Sequence, residues 1–422
     1  AHRPTLALRS GFGNAASSNF HKVLALKTSQ SITARLLAFA MWMGILLIPT
    51  HAEEKLTVVV GYLEQVVPSP PVLSNLDPIP EDQGLAGAKL GLEDNNTTGK
   101  FLGQSYTLEG RIVEEDGDFL GAARALLGFT KTIVVNAPMA KLQEIAQLPE
   151  AKDAILVNAA APEVALRDDK CSANVFHTIP SRTMLADALA QFAVRKKWSR
   201  WVMIEGSREG DKAFARALER SAAKFSLELL AKKTWAFDAD MRRNAAAELP
   251  LFTQDFPDHD LLIVADEADD FARYMPYHTW IPRPIAGSEG LKPSAWSAVV
   301  EQHGAAQLQS RFRKLAKRVM RPIDYASWIA VRAIGEAVTR TKSIDTATLR
   351  SFMLSDKFDL AGFKGRKLTF RNWNGQLRQP IPLSHARAVV ALAPVEGFLH
   401  QRNELDTLGL DKPESACRAF EE

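Results

Sequence analysis

Short apolar, β-branched runs alternate along this chain with stretches whose apolar positions recur every three or four residues. Thr57 to Val60, Thr132 to Val135 and Ala154 to Val157 read as buried strands. Gly121 to Leu127 and Lys141 to Leu148 read as helices, and Met184, Leu185, Ala188, Leu189 and Phe192 share one helical face. The pattern then repeats. Trp201 to Ile204 is a strand, Phe214, Leu218, Ala222 and Phe225 form a helix face, and Leu261 to Val264 is another strand. Two rounds of βα alternation predict two doubly wound parallel sheets. Ligands of such sheets bind beyond the carboxyl ends of the strands, here Glu64, Asn136, Asn158, Glu205 and the ADEADD stretch from Ala265 to Asp270.

The first βα unit is the most informative. Leu85, Ala88 and Leu92 recur at helical spacing in QGLAGAKLGLEDNNTTG, with Gly84 and Gly87 at the helix start and a polar stop at Asn95 to Gly99. Free N–H groups at such a start, in front of a sheet, can receive an anion. Equally, the glycines can serve only close packing. The last third differs. It holds a long helix at Ile323 to Thr339, a second at Thr346 to Met353, and strands at Gly365 to Phe370 and Ala388 to Leu392, with Asn374-Gly375 as a hairpin signal between them.

Composition adds export and removes nucleic acid. The 422 residues are 46% hydrophobic and 24% charged, enough for two globular domains. Residues 1–52 carry Arg3, Arg9, Lys22, Lys27 and Arg35 and no acid. An apolar run from Leu36 to Ile48 follows, then small residues before Glu53, the order of a secretory signal. An uncleaved anchor is the alternative, although a membrane span needs ~20 residues. The rest carries 47 basic and 49 acidic residues, no electrostatic footprint for nucleic acid. Cys171 and Cys417 fit no zinc spacing; they form either one disulfide or two buried thiols.

No GxGxxG follows a strand, and GxxxxGK[ST], HExxH and GxSxG are absent, so no cofactor, metal or catalytic residue is expected. Asp266, Glu267, Asp269 and Asp270 read as a solvated loop or helix start or, less simply, as a Ca²⁺ site or an enzyme's catalytic pair. Aromatic and basic residues cluster more usefully: Trp280 with Arg283, and Tyr325 with Trp328 at i, i+3, besides Arg182 and Arg208 near strand ends or crossings. Trp with Arg suits a flat, conjugated, anionic ligand, while each aromatic can equally be core.

Taken in order, GYLEQ (61–65), GLAGAKLGLEDNN (84–96), VFHTIPSRTMLADALAQF (175–192), EGSREGDKAFARAL (205–218), GSEGL (287–291) and DYASWIAVRAIGEAV (324–338) resemble the type I periplasmic solute-binding proteins of branched-chain amino-acid ABC transporters. The resemblance implies an α/β chain of two doubly wound parallel-sheet lobes joined by a multi-crossing hinge. Lobe one would be 55–180 with 295–365, and lobe two 181–294 with 366–422, after a targeting segment at 1–52. The loops Asn136-Ala137-Pro138 and Asn158-Ala159-Ala160-Ala161 lack the family's hydroxyls, while Glu289 in GSEGL matches a position that holds an α-amino group. Further stretches, among them FKGRKLTFRNWNGQLRQP and LDTLGLDKPESAC, resemble the branch associated with pyrroloquinoline quinone (PQQ)-dependent alcohol dehydrogenase systems.

The resemblance thus implies a periplasmic, monomeric, non-enzymatic protein that delivers a small planar anion, PQQ above all, to a membrane permease. Its expected ligand set is Glu64, Asn136, Asn158, Arg182, Arg208, Trp280, Arg283, Glu289, Tyr325 and Trp328. Arginines would hold the carboxylates, with Trp280, Tyr325 and Trp328 as an aromatic wall. In an oxidising compartment Cys171 and Cys417 are expected to join. An amino-acid or short-acid carrier, a sensor docking on a receptor, and an enzyme using the ADEADD carboxylates are the rival readings.

Overall fold

The computed structural model describes residues 55–68, 78–236 and 241–421. The expected targeting segment, 1–52, lies outside the described residues. Among the described residues no helix is long and apolar enough to cross a membrane.

The chain runs β1 (Leu56–Gln65), α1 (Leu85–Gly99), β2 (Gln104–Val113), α2 (Phe119–Leu127), β3 (Thr132–Asn136), α3 (Met139–Ala146), β4 (Ile155–Asn158) and β5 (Val175–His177). These strands form one parallel sheet in the order β2-β1-β3-β4-β5. Then come α4 (Arg182–Lys196), β6 (Arg200–Gly206), α5 (Glu209–Lys224), β7 (Glu228–Trp235), α6 (Met241–Thr253), β8 (Leu261–Ala265) and β9 (Ile285–Gly287). They build a second parallel sheet, β7-β6-β8-β9. Each sheet changes strand direction of travel beside its first strand, the place where doubly wound sheets open a crevice.

Alternation along the strands explains the layers. Val58, Val60 and Tyr62 of β1 enter one core, and Leu63 enters another on the opposite face. The second sheet is likewise covered on both faces, by Trp201 and Met203 on one side and Val202 and Ile204 on the other. This is the buried pattern that the unbroken apolar runs predict. The chain passes between the cores of the two lobes after Ile179, before Ala295 and between Leu377 and Ile381.

The last third supplies β10 (Lys292–Pro293), α7 (Ala305–Ala316), α8 (Pro322–Thr341), α9 (Thr346–Met353), β11 (Leu360–Ala361), β12 (Lys367–Phe370), β13 (Leu377–Arg378), β14 (Ile381–His385) and β15 (Ala388–Ala393). The hairpin signal is real but its partner is not the expected one. Asn374-Gly375, with Gly375 at φ 67°, turns β12 onto β13, whereas β15 pairs with β14 in an antiparallel sheet with β10. The two-residue strand β13 carries too little pattern to be seen in sequence. Just before it, Gln376 bridges His177 in parallel and so touches the edge of the first sheet.

The cysteines are joined. Cys171 and Cys417 lie 5.7 Å apart at Cα, 246 positions apart in sequence, and fasten the C-terminal tail beside β5. Arg371, buried against Asp406 with Arg378, anchors the same tail from the other side.

Helix α1 packs along α8 with almost no gap. A Cβ on Gly87 would overlap the carbonyl of Asp324, and one on Gly91 would stand 2.9 Å from the carbonyl of Trp328. Gly335 of α8 is in turn covered by the Asn95 side chain, whose Nδ2 donates to the Val331 carbonyl at 2.8 Å. The glycines of α1 therefore serve packing. Gly87→Ala is expected to cost about 1–3 kcal/mol or more through overpacking. Gly110→Ala, where a Cβ meets nothing within 4 Å, is expected to be nearly neutral. Chemical denaturation of the two variants checks this, and equal stabilities would contradict it.

Candidate functional site

Beyond the carboxyl ends of both parallel sheets lies a cavity of about 1180 Å³. The first lobe supplies most of its wall. Glu64 and Gln65 come from the end of β1, Asn136 to Pro138 from the end of β3, and Ala160 to Glu163 from the turn after β4. The segment from Ile79 to Gln83 and the ends of β2 and α8 complete that side. The second lobe contributes Glu267 to Asp270 and Arg273, the loop after β8.

Each wall has an internal scaffold. Asn158 is fully buried; its Oδ1 accepts the N–H groups of Ala160 and Ala161 at 3.1 and 2.8 Å, and its Nδ2 donates to the Ala161 carbonyl. The same Nδ2 donates to His177 Nδ1 at 3.0 Å, which requires a neutral imidazole. Asn136 donates to the Tyr62 hydroxyl and the Gln83 carbonyl, while that hydroxyl donates to Glu64 at 2.6 Å. Burial holds the Glu64 carboxyl above its usual range, against the opposing hydrogen bond from Tyr62. On the second lobe, buried Asp266 accepts three N–H groups, those of Asp270, Phe271 and Ala272, and so folds the loop that carries Glu267 to Asp270. Glu267 N–H donates to Asp211 at 2.7 Å.

Arg182 joins the lobes. It is the first residue of α4, only 6% exposed, at the point where the chain leaves the first lobe. Its Nε and Nη2 donate to both oxygens of Glu267 at 2.9 and 2.7 Å, and its Nη1 donates to Glu163 at 3.2 Å. Burial alone would lower its pKa, but the two carboxylates more than offset this and hold it above the ordinary value. Arg208 is engaged in the same way by Asp270, at 2.6 and 3.3 Å.

Of the expected ligand residues, the cavity wall therefore gathers Glu64 and Asn136, with Asn158, Arg182 and Arg208 in support behind it. The others lie elsewhere. Arg283 precedes β9, at the amino ends of the second sheet; it pairs with Asp258, which also pairs with Arg200 at the start of β6. Trp280 lies near that same pole, 60% exposed, with its N–H on Thr253 at the end of α6. Both are remote from the crevice because parallel strands put all their carboxyl ends at the other pole. Glu289 lies beyond β9 but is spent on Lys292 and on the N–H of Gly290, and is not part of the lining.

Tyr325 and Trp328 are core rather than aromatic wall. Tyr325 stacks on Trp296 with ring centroids 4.9 Å apart and donates to the Gly362 carbonyl. The Trp328 Nε1 donates to Asp94 at 2.9 Å. The i, i+3 spacing gave a face of α8 correctly, and that face turns toward the lobe's own interior.

Glu81, Glu114, Glu163, Asp269 and Asp270 are lining residues that the ligand set omits, as is Glu267. Their signal was position: five of the six lie just beyond strand ends or in the ADEADD stretch. That stretch is built and partly buried, not a solvated loop.

The start of α1, which could have received an external anion, is already filled. Asp324, fully buried, accepts the Gly84 N–H at 2.8 Å and carries the Arg318 guanidinium on its oxygens at 2.7 and 2.9 Å.

Residues 78–241 match a family model described as periplasmic binding protein. No curated protein sequence matches the chain. Among solved structures, a branched-chain amino-acid ABC transporter periplasmic ligand-binding protein from Burkholderia xenovorans is 14% identical, with a TM-score of 0.63 over 86% of this chain and 100% of its own. An ABC transporter substrate-binding protein from Desulfitobacterium hafniense, in complex with leucine, is 17% identical, with a TM-score of 0.59 over 80% and 99% of the two chains. An ABC transporter solute-binding protein from R. palustris, in complex with benzoate, is 12% identical, with a TM-score of 0.58 over 86% and 99%. At these identities the likeness carries the fold, the two-lobed α/β architecture of type I periplasmic binding proteins.

One consequence of the scaffold is a pH dependence. Complete burial, with Arg167 nearby, holds His177 well below its ordinary 6.5. The unfolded chain then takes up a proton below about pH 6.5 that the folded chain refuses, so stability falls as pH drops from there. Thermal melts at pH 7.5 and 5 are expected to show a larger loss in the parent protein than in His177→Gln. Equal losses would contradict a neutral, buried His177.

Proposed function

We propose that this chain is the exported, non-enzymatic solute-binding component of an ABC importer, working as a monomer in the periplasm and handing its ligand to a membrane permease. The observation that carries this is the cavity itself. It lies at the carboxyl ends of both parallel sheets, is walled by both lobes, and is spanned by Arg182 at a crossing between them. A chain built this way can close about its crossings, with ligand contacts favouring the shut state. The family match over 78–241 and the solute-bound neighbours of the same fold support the reading.

PQQ is the ligand that the sequence resemblance names. Its carboxylates would meet Arg273 and Arg321 on the lining, and would reach Arg182 and Arg208 only if these exchanged Glu163, Glu267 and Asp270 for them. A carrier of amino acids or short acids meets the same requirement for a free donor set. A sensor would use the same cleft with a receptor in place of the permease.

Thermal-shift screening of amino acids, short carboxylates, amines and PQQ, followed by small-angle scattering, tests the function. A true solute is expected to stabilise the protein by about 2.7 kcal/mol at a hundredfold excess over Kd. It should also reduce the radius of gyration and be recovered unaltered. No stabilising, compacting solute, or a chemically changed one, would overturn the proposal.

A further inference from the structure

The polar groups around the cleft are spent unevenly. Most donors suited to a carboxylate are already engaged inside the protein; the two guanidinium groups on the lining, Arg273 and Arg321, hold Asp269 and the Pro78 carbonyl and are outnumbered there by seven carboxylates, Glu64, Glu81, Glu114, Glu163, Glu267, Asp269 and Asp270. The Gly84 N–H is on Asp324, those of Ala160 and Ala161 are on Asn158, and that of Glu267 is on Asp211. The Asn136 amide donates to Tyr62 and Gln83, and Arg182 and Arg208 are each gripped by carboxylates.

Acceptors are in surplus. Among the described residues, no cation pairs with Glu64, Glu81 or Glu114, all three of which line the cavity. Two further lining residues hold buried acceptor atoms with no partner, Gln65 Oε1 and Glu163 Oε2. Gln65 is 7% exposed, so its oxygen has no ready access to water. A buried acceptor without a donor costs free energy that a ligand N–H can recover.

The wall is also apolar in one place. Val67, Ile79 and Ile112 are large aliphatic residues left 55%, 45% and 50% exposed, and all three line this cavity on the first lobe. These three share one concave surface with the unpaired carboxylates.

We propose that the cleft takes an organic cation with an apolar body, an alkyl- or arylamine, its ammonium among the unpaired carboxylates and its hydrocarbon against Val67, Ile79 and Ile112. The inference rests on the solute-binding reading and fixes the charge and amphipathic character of the solute. An acidic, walled cleft attracts such a cation and repels a carboxylate of the same shape.

Phenethylamine and 3-phenylpropionate carry the same phenylethyl body with opposite charge and serve as probes, with PQQ as a third. Calorimetric titration is expected to show phenethylamine binding and the two acids failing to bind. Glu64→Gln, which keeps an acceptor for Tyr62, should weaken the amine at least tenfold. Ile112→Ser, a change on a half-exposed edge-strand position, should weaken phenethylamine several-fold and leave the melting temperature unchanged. Binding of either acid as tightly as the amine, or of none of the three, overturns the inference. Compaction by an acid in scattering would leave solute binding standing and sink only the charge assignment, whereas failure of every solute in the screen to compact the protein sinks the function.

Discussion

The first lobe depends on one buried carboxylate. Asp324, at the third position of α8, collects the N–H of Gly84, the N–H of Arg321 and the guanidinium of Arg318, which also reaches Asp82. The positive end of α1 is thereby neutralised by a charge from the same chain. The arrangement fixes the register of α1 against α8, which is why Gly87 must lack a side chain. It also pins residues 79–83, and these form one rim of the cavity. Removing one partner from such a buried pair typically costs about 3–5 kcal/mol, because the other charge is left uncompensated.

Much of this fold was legible in the sequence. Unbroken apolar runs gave the parallel strands, helical spacing gave the faces of α4, α5 and α8, and two cysteines behind an export-like leader pattern left the disulfide as one of two choices. The site was less legible, for physical reasons. A period of 3.6 shows which residues share a face but not what that face meets, so Tyr325 and Trp328 could be read as wall or core. Arg283 and Trp280 could be placed only by locating β9, three residues long and without pattern. The engagement of Arg182 is invisible because Glu267 lies 85 positions away. An arginine near a strand end looks like a ligand partner until its own carboxylate is found.

The two lobes contribute unequally to the cleft. The first supplies the aliphatic surface and the unpaired carboxylates. The second supplies a loop held rigid by Asp266, whose own carboxylates are mostly matched by Arg182, Arg208 and Arg273. Arg182 is bound to both walls, so any change in the separation of the lobes must stretch or exchange its contacts with Glu163 and Glu267. Any movement of the lobes on solute binding would therefore be coupled to the cleft's charge through Arg182.

That coupling makes lobe closure the central claim, and a distance tests it most directly. Spin labels placed through Lys141→Cys on α3 and Lys212→Cys on α5 report the separation of the lobes, with Cys171 and Cys417 kept in their disulfide. Pulsed electron resonance would compare the protein alone with the protein saturated by the solute that stabilises it most. The expected result is a shorter, narrower distance distribution with solute bound. An unchanged distribution, despite saturation, would contradict the account.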